Sequence, residues 1–376
     1  MPLTLTVASR NLFHDRLRFL ATLVGIVFSV VLVMVQMGLY LGFGRMITTM
    51  IDHTPADLWI VSRGAKSFED LSLLDKEIQS KALQVEGVDD VSPVVIGFAD
   101  WRLPKGGMTP VFVVGSVPGG HGLQPWNLVE GTADALKTPG TVAVDRTYYE
   151  RLGISGIGST AEIRGQAVRV AAVTDGIRSF TTTLYVFADL DRARSYIGIP
   201  ADKASHYVVS LKPGSDIDQV RRDIEKTSDA EVLTPEQFRS RSRSFWLFGT
   251  GAGAALFAGA LLGVIVGTVI VAQTLYSSTK EHLAEFATLR AIGCSKRYIN
   301  KVIRWQALLN AVIGFCIAGV IGAGVVQMTA KSALPIVITP ELVIGLFLLT
   351  VVMCIASAVV AIARVVRLDP ATVLMR

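Results

Sequence analysis

Four stretches of this sequence contain no Asp, Glu, Lys or Arg: Phe19–Gly44, Ser244–Thr279, Trp305–Ala330 and Leu342–Ala363. A hydrocarbon core of ~30 Å takes about 20 helical residues to cross, so each run is long enough. Lipid offers no partner for backbone N–H and C=O groups, and a spanning run therefore closes its own hydrogen bonds as a helix. The expectation is an α-helical membrane protein with four transmembrane helices and a large domain of residues 45–243 between the first and second spans. A mean hydropathy of +0.49 and a charged fraction of 18% over 376 residues agree with it. Arg10, Arg16 and Arg18 precede the first run in the manner of a signal peptide. That run exceeds the ~7–15 residues of a signal core, and no small-x-small cleavage pattern follows Gly44, so it reads as a retained helix.

Basic residues in short loops stay on the cytoplasmic side. With four spans, Arg10, Arg16 and Arg18, then Lys280, Arg290, Lys296, Arg297, Lys301 and Arg304, then Arg364, Arg367 and Arg376 all fall on one side, and the loop between the third and fourth spans holds only Lys331. Both termini are thus expected in the cytoplasm. The net charge of +5 follows from this asymmetry and calls for no nucleic-acid partner. Cys294, Cys316 and Cys354 all lie outside the large domain, which must fold without disulfides.

That domain reads as mixed α/β. "ADLWIVSRG" and "VVIGFADWRL" suggest strands, and "LSLLDKEIQSKALQVEGV" suggests a helix ending at Gly87. The same strand and helix alternation recurs in "SHYVVSLKP", "SDIDQVRRDIEKTS" and "AEVLTP", and "STAEIRGQAVRVAAVTDGI" suggests a hairpin turning at Gly165–Gln166. Residues 45–117 and 204–243 are expected to form a membrane-proximal, porter-like part and residues 118–203 an inserted sub-domain.

Motifs for chemistry are missing from the sequence. The dipeptide Gly-Lys does not occur, which rules out a phosphate loop within these residues, and neither a G-x-S-x-G elbow nor H-E-x-x-H is found. "GTGAGA" opens an apolar run without the strand and acid of a dinucleotide site. The five histidines are scattered, so no catalytic residue, metal or cofactor is expected. Uncharged spans also argue against an ion-coupled carrier; Gln36, Gln273 and Gln327 are amides that could as easily line a path as hold helices together. Gly259, Gly263 and Gly267 recur every four residues and predict a face that admits another helix closely. Residues 244–279 would reach ~54 Å as one helix, which suggests a second span extended by a stalk, with a connecting turn or interfacial segment at "RSRSFWLF" as the alternative for its start.

Between the second and third spans lies a charged segment, residues 280–304. Leu283, Phe286, Ala287 and Leu289 fall on one side of a helix whose other side carries Glu281, Glu285 and Arg290; Gly293 suits its end, and Ser295 suits the cap of the next helix. This is an elbow at the cytoplasmic surface. Its pattern T-K-E-x-x-x-E-F-x-T-L-R-A-I-G, residues 279–293, resembles the cytoplasmic loop of FtsX/MacB-type ABC permeases. "RLDPATVLMR" at residues 367–376 is similar to their closing tail, and "NLFHDRLRFLATLVGIVFSVVLVMVQMGL" to their amphipathic N-terminal helix (residues 1–18) and first span. "MVQMGLYLGF", "ADLWIVSRGAKSF", "VEGVDDVSPVVIGFADWR" and "TLRAIGCSKRYINKVIRWQALL" resemble DevC-type permeases.

The resemblance implies the MacB-like, type VII ABC transporter fold in a bacterial inner membrane. Its parts would be residues 1–18 as cytoplasmic helix, 19–44, 244–279, 305–330 and 342–363 as spans, 45–243 in the periplasm, 331–341 as a short external loop and 364–376 as cytoplasmic tail. It further implies a non-catalytic permease homodimer with a separate ABC ATPase subunit docked at Glu281, Glu285, Phe286, Leu289, Arg290 and Gly293. A periplasmic membrane-fusion adaptor protein and, indirectly, a TolC-like outer-membrane channel would complete a tripartite exporter of an amphiphilic cargo such as a glycolipid or peptide. The alternatives are an FtsX-like signalling protein that moves no substrate and a lipoprotein-releasing permease.

Overall fold

The computed structural model describes residues 3–181, 183–281, 296–329 and 336–366. They form two bodies, residues 1–42 with 253–376 and residues 43–252. The helices are α1 (Leu3–His14), α2 (Arg16–Ile47), α3 (Thr49–Asp52), α4 (Lys76–Leu83), α5 (Tyr149–Leu152), α6 (Leu190–Ile197), α7 (Ile217–Thr227), α8 (Pro235–Ser244), α9 (Ala252–Glu281), α10 (Lys296–Thr329) and α11 (Pro340–Val366).

In the first body, four helices are long and apolar enough to cross a membrane, over Arg16–Ile47, Ala252–Ser277, Asn300–Thr329 and Pro340–Val360. Asp15 separates α1 from α2: its carboxylate accepts the Arg18 N–H at 3.3 Å, the work of an N-cap. α1 packs on α10. Ile26, Val30, Val33 and Met34 of α2 meet Val271 of α9, Ala307 of α10 and Cys354 of α11 in one core. Leu261, Leu262, Val320, Ile344 and Val352 point outward, as lipid-facing side chains must.

The second body is built on one sheet. Its strands are β1 (Leu58–Ser62), β3 (Val88–Arg102), β4 (Met108–Ser116), β5 (Leu128–Glu130), β6 (Thr141–Asp145), β7 (Thr160–Ile163), β8 (Gln166–Thr174), β9 (Leu184–Asp189), β11 (His206–Leu211) and β12 (Ala230–Leu233), while β2 (Leu74–Asp75) and β10 (Lys203–Ala204) pair separately. The order is β12-β1-β11-β3-β4-β9-β6-β8-β5, with β7 against β3 and β8. β3 joins the two ends: Val88–Val94 lie along β11 and Val95–Arg102 along β4. Residues 118–203 supply β5 to β9, which reach the rest of the sheet through β3 and β4. Alternation along β1 sends Leu58 and Ile60 into a core with Val142 and Val232, and Trp59 and Val61 into a core on the other face with Phe68 and Phe238. β7 and β8 form a hairpin closed by Arg164 and Gly165, both at positive φ (48° and 76°), the two-residue turn that fits strand twist. Thr234 and Gln237 form a capping box at the start of α8, with Pro235 in its first turn.

The second span departs from expectation. No continuous helix runs from 244 to 279, because a π turn at Phe245–Gly249 follows α8 and α9 begins only at Ala252. The Thr250 N–H bonds to the Phe245 carbonyl at 3.0 Å, five residues back, and Gly251 sits at φ 79°, where a side chain would be strained. The uncharged composition of residues 244–251 reflects this turn, so the expected stalk is interrupted.

Candidate functional site

The three spaced glycines of α9 face α2 of the same chain. A methyl at Gly259 would meet the Gln36 amide at 2.6 Å, one at Gly263 the Val33 and Leu32 side chains at 3.1 and 3.3 Å, and one at Gly267 the Ser29 hydroxyl at 2.3 Å. Further along this antiparallel contact the pattern inverts, and Gly25 of α2 admits Ile270. Close backbones permit a polar bond: buried Ser29 Oγ donates to the Gly263 carbonyl at 2.7 Å. Ser357 of α11 donates to the Thr268 carbonyl at 3.0 Å. On its other side α2 meets α10, where Gly314 admits Ile26 and Gly322 admits Met34. α2 is therefore clamped by small residues from two helices.

A second constellation forms in the second body around α8. Arg239 Nε bonds Asp52 Oδ1 at 2.5 Å, and Arg243 Nε donates to the Gly44 carbonyl at 3.1 Å. Arg241 pairs with Glu231 through two bonds, one of 2.6 Å. In the π turn, the Trp246 indole N–H donates to Glu69 Oε2 at 3.0 Å, and its ring lies 4.8 Å from Phe180, which in turn lies 5.3 Å from Phe43. Glu69 is partly buried as a residue, but its carboxyl lies in dense packing, and desolvation pushes it up from 4.5 to about 7 despite the indole bond. His206, buried beside Trp59, Phe68 and Phe238, has an Nε2 that lies 2.8 Å from the Phe68 carbonyl. That carbonyl can only accept, so Nε2 carries the proton; burial drops the ring to about 4 and keeps it neutral.

Of the residues expected to dock an ATPase, Glu281 is the last residue of α9, while Glu285, Phe286, Leu289, Arg290 and Gly293 lie outside the described residues. No group of three or more metal-ligating side chains is found among the described residues. Two amides passed over in the sequence, Gln306 and Asn310 of α10, are the buried ones at 5% and 1% exposure, beside Thr22 and Thr274. Their spacing of four within an apolar run was the available signal. Glu69 and the alternate arginines of α8 were also missed, since a lone acid in a loop and a basic helix both read as solvated surface.

Residues 19–227 match the family profile of the MacB-like periplasmic core domain, and residues 248–370 match that of the FtsX-like permease C-terminal region. The chain belongs to the MacB-like, FtsX-like permease family. Relatives include an uncharacterized ABC transporter permease of Mycobacterium tuberculosis (strain H37Rv), 32% identical over 121 residues covering 30% of this chain and 31% of that one. Another, from the CDC 1551 strain, is 36% identical over the same length and shares. A third, from Methanocaldococcus jannaschii, is 24% identical over 185 residues, 46% of this chain and 47% of that one. The chain thus spans about a third to a half of the length of these curated relatives. Among solved structures, the periplasmic region of MacB from Actinobacillus actinomycetemcomitans aligns with a TM-score of 0.38 at 10% identity, covering 50% of this chain and 92% of that one. The extracellular domain of the noncanonic ABC-type transporter YknZ from Gram-positive bacteria aligns with a TM-score of 0.36 at 15% identity, covering 48% and 99%. In this permease the two matched segments leave residues 228–247 between them, the stretch that holds α8 and the start of the π turn.

Proposed function

We propose that this permease is the mechanotransmission subunit of a tripartite ABC exporter. A separate ATPase docks on the cytoplasmic elbow at residues 280–304, two copies of the chain pair in the membrane, and ATP-driven closure below is passed along the spans to the outer domains. An adaptor and an outer-membrane channel then carry away a periplasmic or membrane-derived amphiphile. The observation that carries this reading is the arrangement of a MacB-like periplasmic core domain and an FtsX-like permease region in one chain whose sequence holds no phosphate loop. Spans without ionisable residues support work on periplasmic cargo rather than a charged path through the membrane.

The test is genetic and chemical. Cells lacking this chain are expected to retain one lipid or peptide class in the inner-membrane and periplasmic fractions, and complementation should restore it outside the cell. An unchanged lipid and peptide distribution, together with altered cell-wall hydrolase activity, would replace export with the signalling reading.

A further inference from the structure

A cleft of about 690 Å³ opens on the second body beside α8. Its walls are the loop after β1, carrying Lys66, the Arg241–Glu231 pair, and the exposed hydroxyls of Ser240 and Ser244, with Phe245 at one end. The charges do not cancel. Arg241 holds Glu231 through two hydrogen bonds, so that pair is neutral as a unit. Lys66 makes no ion pair with a carboxylate among the described residues; its ammonium instead stands 5.6 Å from the centre of the Phe245 ring. A cation held over an aromatic face keeps its remaining N–H donors free for an anion. Ser240 and Ser244, one helical turn apart on α8, add two hydroxyls that bond no protein group among the described residues.

The position in the chain identifies the ligand. Phe245 lies seven residues before Ala252, where α9 begins; its ring packs against Trp246, and Phe248 is exposed, so this stretch carries aromatic residues of the kind found at headgroup depth. We propose that this cleft binds the phosphate of an anionic lipid headgroup in the outer leaflet, with Lys66 and the two serine hydroxyls as donors and Phe245 against the glycerol and upper acyl chain. This goes beyond the export reading and does not depend on it, since the lipid here anchors the domain whether or not it is cargo.

The test uses the full chain in detergent, titrated with dihexanoyl phosphatidylglycerol, dihexanoyl phosphatidylcholine, glycerol phosphate and inorganic phosphate, with binding read by native mass spectrometry. Basic residues elsewhere on the chain also attract anionic lipid, so the decisive quantity is the difference between variants. Phosphatidylglycerol is expected to bind at least tenfold more tightly to the wild type than to Lys66→Glu, and Lys66→Arg should keep most of the binding. Ser244→Leu, which fills the cleft while leaving every charge in place, should weaken it as well. Equal binding by wild type, Lys66→Glu and Ser244→Leu would overturn the site. Inorganic phosphate or glycerol phosphate binding as tightly as the lipid, and with the same Lys66 dependence, would overturn the lipid assignment in favour of a free phosphate.

Discussion

A desolvated carboxyl, Glu69, and a buried imidazole, His206, pull the stability of the second body in opposite directions with pH. Glu69 is raised from 4.5 to about 7, so between those values the folded state holds a proton that the unfolded state has released. Its contribution is fully present below 4.5 and is lost as pH rises through 7. His206 is lowered from 6.5 to about 4, so it destabilises the fold progressively as pH falls below 6.5. Between 4.5 and 6.5 the two slopes oppose each other, and the wild type should change little. Glu69→Gln keeps an acceptor for the Trp246 indole and removes one slope. It is expected to be more stable than wild type at pH 8 by roughly 1–3 kcal/mol, and to lose stability steadily on acidification below 6.5. Chemical denaturation at a series of pH values checks this, and parallel wild-type and variant curves would show that the Glu69 carboxyl is solvated.

Among the elements, the contact between α2 and α9 makes the sharpest claim. Gly267→Ala places a methyl 2.3 Å from the Ser29 hydroxyl, which is already committed to the Gly263 carbonyl, and should cost about 1–3 kcal/mol. Gly324→Ala on α10 meets nothing within 4 Å and should be neutral. Because the partner helix belongs to the same chain, the loss should appear in monomer unfolding in detergent; equal melting of both variants would mean that the helices do not pack through Gly267. The glycine spacing shows a flat face in the sequence but not which helix it meets, since that depends on register with Ser29 and Gln36. Local patterns were legible elsewhere: β1, β11, α7 and β12 fall where alternation and helical period place them, and the β7–β8 turn falls one residue from expectation. β3 was legible only in pieces, because its 15 residues have two different partners along their length and a strand's partners are not written in its own period. Composition left two readings open at Phe245–Gly251, since an uncharged turn and an uncharged helix look alike, and the structure takes the turn.

For the whole molecule, orientation is the first prediction. The turn at Lys105–Gly107 is exposed and lies between the first two spans, so with the basic loops in the cytoplasm a reporter inserted there should be extracytoplasmic, and one fused after Arg376 cytoplasmic. A cytoplasmic signal from the turn would contradict the four-span arrangement. In the proposed exporter, force passes from the ATPase through residues 280–304. If Glu285 is paired and desolvated against a partner ATPase, reversing it should cost ~2–5 kcal/mol of binding, whereas a solvated charge would cost little. The most direct measurement is recovery of the ATPase with purified wild-type and Glu285→Lys permease, followed by the ATPase rate of each reconstituted complex. Glu285→Lys is expected to insert in the membrane normally but to lose the ATPase and the rate it confers. Equal recovery and an equal rate for Glu285→Lys, and also for a combined change at Glu281 and Arg290, would contradict it and leave the elbow a solvated connector.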